Sequence, residues 1–138
     1  METNYLPIVI SAILAMILGA VWYGPLFGKT WMKVVGATEM DMEARKKMQK
    51  SAKPLYLIQF VLILFQVCVL SRLISGSIGT SVLSTSLWIW AGFIMPTIAA
   101  ASMWNNDSRQ IAWTRFLIQA VYQLILFVMF ALILSWMM

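Results

Sequence analysis

Four long apolar runs, separated by short polar segments, make up most of the chain. They lie at about residues 5–23, 54–74, 81–103 and 113–137. Each run approaches or exceeds the roughly 20 residues that an α-helix needs to cross about 30 Å of hydrocarbon. The pattern therefore predicts an all-α membrane protein, in which a bundle of four transmembrane helices forms a single domain over residues 1–138.

Composition supports this class, since 62% of the residues are hydrophobic and 11% are charged, whereas about a quarter are charged in soluble domains. The first run is interpreted as a span and not as a cleaved signal peptide, because no basic residue precedes it. The net charge of +5 does not point to nucleic acid, because the basic residues crowd beside a bilayer. Anionic lipid at the cytoplasmic face is the expected counter-charge.

Orientation follows from the uneven distribution of the basic residues. Only Arg72 lies near the second loop, and the others lie in or around the first and third loops: Lys29, Lys33, Arg45, Lys46, Lys47, Lys50, Lys53, Arg109 and Arg115. Basic residues in short loops remain on the cytoplasmic side of a membrane. We therefore expect the loop over residues 24–53 to be cytoplasmic and both termini to be extracytoplasmic.

The first loop has features of a helix of its own. Thr38 and Asp41 form a start that resembles a capping box, and acidic residues precede basic ones, as the helix dipole prefers. The pattern predicts a short cytoplasmic amphipathic helix between spans one and two, from about residue 39 to 50, lying on the membrane surface or on neighbouring helix ends. A solvated charged linker is the alternative. Pro54 fits the first turn of the second span in either case.

The residue types present exclude several kinds of chemistry. The spans carry no acidic or lysine residue near the bilayer centre, and the chain contains no histidine. Proton-coupled transport, a zinc protease and a haem site all normally need such groups. The single cysteine, Cys68, cannot form a thiol pair, and the eleven methionines are scattered through apolar runs, which indicates packing rather than copper binding. We therefore predict no catalytic, cofactor-binding or metal-binding residue, and no enzyme.

Neutral polar residues remain inside the spans. Gln59 and Gln66 share one face of the second span, and Gln119, Tyr122 and Gln123 share one face of the fourth. Lipid cannot satisfy their amides, so these faces should turn toward the protein interior. Interhelical hydrogen bonding is one interpretation, and a polar track for a small solute between spans two and four is the other.

Two ladders of small residues mark faces where helix backbones can approach closely. They are Ser11, Ala15 and Gly19 in the first span, and Gly92, Pro96 and Ala100 in the third. The pattern leaves open whether these faces meet each other or another subunit.

An aromatic segment, here called the elbow, follows the first span over residues 22–31. Aromatic rings favour the headgroup level, Pro ends the helix, and Gly allows a turn. We predict an ordered elbow packed against the third loop and the start of the fourth span. Lys29, Arg109 and Arg115 at the same end are candidate contacts for an anionic lipid or solute. The elbow residues are Trp22, Tyr23, Gly24, Pro25, Phe27, Gly28 and Trp31.

Several of these segments resemble one known family. They are WYGPLFGKTWM in the elbow, Gly36-Ala37-Thr38-Glu39, WAGFIMP at residues 90–96, and Ile118–Gln123. Together they resemble a bacterial membrane family catalogued as a domain of unknown function, number seventeen sixty-one in that series. The resemblance covers nearly the whole chain. It implies four helices and a bacterial envelope setting, but no activity, cofactor or site.

These observations lead to one expected role and one alternative. We expect a non-enzymatic, multi-pass protein of a bacterial cytoplasmic (inner) membrane that self-associates into a homo-oligomer or serves as a small subunit of a membrane complex. The alternative is a small transporter or channel for a neutral or anionic solute that uses the glutamine faces. Membrane lipids are the other expected partners.

Overall fold

The computed structural model describes residues 4–77, 79–105 and 107–137, although not the side chain of Glu39. Within these residues the fold is helical, with no strand. Its α-helices are α1 (Leu6–Val21), α2 (Gly28–Val34), α3 (Met42–Gly76), α4 (Val82–Ile89), α5 (Met95–Met103) and α6 (Arg109–Met137). Two widened π-helical turns, Trp22–Leu26 and Trp90–Ile94, and a 3₁₀ turn at Ala37–Glu39 connect or extend them.

Four helical segments of the described chain are long and apolar enough to cross a membrane. This confirms the predicted all-α fold with four transmembrane helices. The third span consists of α4, its π turn and α5 without interruption. The four segments are Leu6–Leu26, Met42–Gly76, Val82–Met103 and Arg109–Met137.

The short amphipathic helix predicted for residues 39–50 is not present as a separate element. Asp41 caps the helix, since its carboxylate accepts the Ala44 N–H at 2.8 Å, but the helix that starts there continues to Gly76. Pro54 lies inside this helix and not in the first turn of a new span, so the hydrogen bond that a proline cannot donate is missing within a continuous helix. At about 1.5 Å per residue α3 is longer than the hydrocarbon layer, so its basic first turns extend beyond the layer.

The first loop also contains α2, a helix that the sequence pattern did not predict. Gly36 lets the chain turn after α2, because its φ of 76° lies in the left-handed region that favours glycine. The seven residues of α2 lie directly after the elbow's π turn and contact α6. The loop is therefore packed against the bundle at this point.

The α6 helix lies at the centre of the bundle and contacts α1, α4 and α5, while α1 also contacts α3. The core forms where these helices meet: Ala12, Ala15, Ile63, Val67, Leu70, Leu126, Phe127, Phe130 and Leu134 are all buried. Trp90 fastens the third span to α6, because its indole N–H donates to the Ala120 carbonyl at 3.0 Å. In the third span, only Ser86 and Ser102 are buried, so this span lies at the edge of the bundle.

Candidate functional site

The elbow begins where α1 changes to a π-helical turn at Trp22. The Trp22 carbonyl accepts the Phe27 N–H at 3.0 Å, five residues on, and the Phe27 carbonyl then accepts the Trp31 N–H at 2.8 Å. A Cβ placed on Gly28 would lie 3.1 Å from the Tyr23 carbonyl oxygen. Glycine at position 28 thus relieves a tight approach to the Tyr23 carbonyl and does not provide a positive φ.

Aromatic side chains join the elbow to the middle of α6. Trp22 is buried and donates its indole N–H to the Ile118 carbonyl at 3.1 Å. Its ring centroid lies 4.6 Å from that of Phe27. The ring centroid of Tyr23 lies 4.9 Å from that of Trp31 and 5.2 Å from that of Tyr122, and both pairs are in edge-to-face contact. The elbow is thus part of the bundle's packing and not a free linker.

Arg115 forms a clamp beside this aromatic cluster. Its Nη2 donates to the carbonyl of Val34, at the end of α2, at 3.2 Å and to Asp107, in the loop before α6, at 2.9 Å. Three separate segments are therefore tied to one guanidinium. The sequence pattern did not predict this pairing, although Asp107 is the only acidic residue after Glu43.

The three candidate basic contacts have different surroundings. Arg115 is already paired with Asp107. Lys29 is exposed on α2 and has no ion pair among the described residues. Arg109 lies at the first position of α6, where it lines a cavity beside α5.

The two glutamines of α3 line different cavities. Gln59 is exposed and lines a crevice of about 640 Å³ between α1 and α3, together with Tyr23 and Tyr122. Gln66 is half-buried and lines a different groove, of about 390 Å³, between α3 and the third span.

The glutamines of α6 lie closer to the interior. Gln119 and Gln123 are half-buried, and Oε1 of Gln123 is buried without a hydrogen-bond partner among the described residues. Gln66, Gln119 and Gln123 are therefore partly turned toward the interior, as expected. Gln59 is exposed and does not follow this expectation.

The first small-residue ladder faces the interior, where Ser11 and Ala15 are fully buried. The Tyr122 hydroxyl donates to the Ala15 carbonyl at 3.4 Å. A Cβ on Gly19 would lie only 2.8 Å from that hydroxyl oxygen. Gly19 therefore makes room for Tyr122.

This contact predicts a specific coupling between Gly19 and Tyr122. Gly19→Ala should lower the free energy of unfolding by about 1–3 kcal/mol through overpacking, and Tyr122→Phe by about 1 kcal/mol. The double variant should lose less than the sum, because phenylalanine removes the atom that the new methyl group meets. Denaturant titration in detergent micelles measures all four states of the cycle. Gly76→Ala is the control, since its Cβ would meet no atom within 4 Å; additive losses would contradict the contact.

Comparison with known proteins identifies a family for this chain. No curated protein and no solved structure matches the chain significantly. One family model, described as "Protein of unknown function (DUF1761)", matches residues 6–135. That match includes three spans, all but the last two residues of the fourth, the elbow and the Arg115 clamp, so the chain belongs to the DUF1761 family of proteins of unknown function.

Proposed function

We propose that this protein is a non-enzymatic membrane protein that acts by self-association through the third span. The observation that carries the proposal is the position of the second small-residue ladder. Gly92, Pro96 and Ala100 are all exposed, and a Cβ on Gly92 would meet no atom within 4 Å. In contrast, the ladder of α1 is used inside the bundle.

Exposure of apolar residues is ordinary for a helix that faces lipid, so it is the small side chains that support an interface. Lipid tails are as apolar as leucine, and helices therefore associate in membranes mainly through close packing and hydrogen bonds. Small residues allow two backbones to approach each other. Large exposed neighbours, Trp88 and Phe93, can pack around such a contact; their side chains are 76% and 72% exposed.

A second copy of the chain is the partner that we propose for this face, and Gly92→Leu tests it. Leucine would keep the backbones apart, so the dimer fraction should fall at least severalfold. Förster transfer between labelled copies in liposomes, measured over a range of protein-to-lipid ratios, reports that fraction. Gly76→Leu is the matched control, because Gly76 is also exposed and open but lies at the end of α3.

Two results would overturn the proposal. One is a wild-type protein that remains monomeric at every protein-to-lipid ratio. The other is a dimer that Gly92→Leu and Gly76→Leu leave equally intact. A membrane complex with a different protein is then the remaining form of the association role. The transport alternative has less support, because Gln59 and Gln66 line separate cavities.

We further propose a bacterial inner membrane location with both termini outside, on the basis of the basic residues. Ser51 lies in the basic first part of α3, and Ser77 follows the other end of this helix. In a Cys68→Ala background, an impermeant maleimide added to intact cells should label Ser77→Cys but not Ser51→Cys. Labelling of Ser51→Cys alone would indicate the opposite orientation. Disruption of the cells is the control, since both cysteines should then react.

A further inference from the structure

A cavity of about 450 Å³ lies between α5 and α6, at the end of the bundle that carries the elbow. This volume is within the range of small-molecule sites, which is roughly 300–1,000 Å³. The cavity combines apolar walls with a few polar groups. Its lining residues are Ala99, Ser102, Met103, Asp107, Arg109, Ala112, Trp113 and Phe116.

Ser102 is among the lining residues of this cavity, and its hydroxyl is unsatisfied. Its side chain is only 1% exposed, and its Oγ has no hydrogen-bond partner among the described residues. A buried hydroxyl without a partner is unfavourable, both in water-free protein and in lipid. A bound polar group within reach of Oγ would remove that cost.

The charged groups around the cavity leave one positive charge in excess. Asp107 is paired with Arg115 at 2.9 Å, whereas Arg109 has no ion pair in the part of the chain that the structure describes. Arg109 is also the first residue of α6, so it lies at the positive end of a helix of 29 residues. An anion is therefore the complementary charge at this position.

The remaining walls of the cavity are apolar. A site for a free inorganic anion would not need such apolar walls. Ala99, Met103, Ala112 and Phe116 provide hydrocarbon surface. Trp113 is 63% exposed, as expected of an indole near the headgroup level. The lining thus joins a cationic position to a hydrocarbon surface.

We propose that this cavity binds one anionic amphiphile, a phosphate-bearing lipid whose headgroup lies at Arg109 and Ser102 and whose chain lies against Ala112 and Phe116. Arg109 supplies charge-assisted hydrogen bonds to the phosphate, which are stronger than neutral ones. Lipid binding here is distinct from self-association, because the cavity lies between two helices of the same chain.

Arg109→Gln and Ala112→Leu test the headgroup and the chain separately. The probe is phosphatidylglycerol, titrated into delipidated protein in detergent and counted by native mass spectrometry. Arg109→Gln should weaken its binding about tenfold through loss of the charge-assisted bonds, and Ala112→Leu should weaken it by filling the cavity. Arg72→Gln and Ala101→Leu are matched controls at exposed positions that do not line the cavity.

A second pair of probes distinguishes the source of the anion. Phosphatidylcholine should bind more weakly than phosphatidylglycerol, and inorganic phosphate at millimolar concentration should not displace the lipid. Equal binding of phosphatidylglycerol by Arg109→Gln and Arg72→Gln would overturn the proposal, and so would displacement by inorganic phosphate. Melting temperatures without lipid show whether each variant is folded. If Ala112→Leu does not fold, Arg109→Gln still tests the proposal, because Arg109 is exposed.

Discussion

Replacement of Trp22 by alanine is expected to lower the free energy of unfolding by about 3–5 kcal/mol, the usual loss for a large aromatic removed from a core. Trp22 is 8% exposed, and its ring contacts Phe27 and Tyr122. The indole N–H also donates a hydrogen bond to the Ile118 carbonyl. Alanine would leave a cavity between the elbow and α6, and would release the elbow from the bundle. Denaturant titration in mixed micelles measures the loss.

Two further variants separate packing from hydrogen bonding at this position. Trp22→Phe retains an aromatic ring but not the N–H donor, so it should lose less than alanine, with about 1 kcal/mol from the missing bond. Trp136→Ala removes the same side chain from a position that is 87% exposed, and it should have little effect on unfolding. Equal losses for Trp22→Ala and Trp136→Ala would contradict the packed elbow.

Replacement of Arg115 by methionine is expected to lower the free energy of unfolding by about 2–3 kcal/mol, because hydrogen bonds of charged groups contribute more than neutral ones. Methionine retains much of the chain length but not the guanidinium. The Asp107 carboxylate and the Val34 carbonyl would then both lose their donor. The side chains of Arg115 and Asp107 are 20% and 24% exposed, so water would only partly replace it.

A double-mutant cycle assigns this loss to the clamp. Asp107→Asn alone should destabilise less than Arg115→Met, because the bond to Val34 remains. The two changes together should lose less than their sum, since both remove the same ion pair. Arg72→Met is the control for removing an exposed arginine. Strict additivity, or a loss no larger than that of Arg72→Met, would show that the clamp does not stabilise the fold.

Local patterns of the sequence were sufficient for the number and type of spans. Four apolar runs of membrane length allow no other regular structure in lipid, because only a helix satisfies all its backbone groups within one segment. Hydrophobic length did not predict where α3 starts. The polar residues from about 39 to 50 were predicted to form a separate short helix, yet the helix that starts at Met42 continues without interruption into the span.

The elbow shows how far composition can predict tertiary placement. Its aromatic side chains and glycines predicted an ordered segment against the third loop and the start of the fourth span; the contacts of Trp22 and Tyr23 are with Ile118 and Tyr122 of that span. The sequence pattern did not predict the hydrogen-bond partners of these side chains. The bond from Trp22 to Ile118 joins residues 96 positions apart, and the bond from Arg115 to Val34 joins residues 81 positions apart.

The sequence by itself determined the helical class and the four spans, because these depend on hydrophobic length along a single segment. The sequence also shows directly that the chain has no histidine and only one cysteine. Only the tertiary structure decided which polar residues share a space: Gln59 lies with Tyr122, Gln66 lies in another groove, and Ser102 lies with Arg109. The physical reason is that helix periodicity defines the faces of each helix, while rotation and neighbour choice depend on packing between helices distant in the chain.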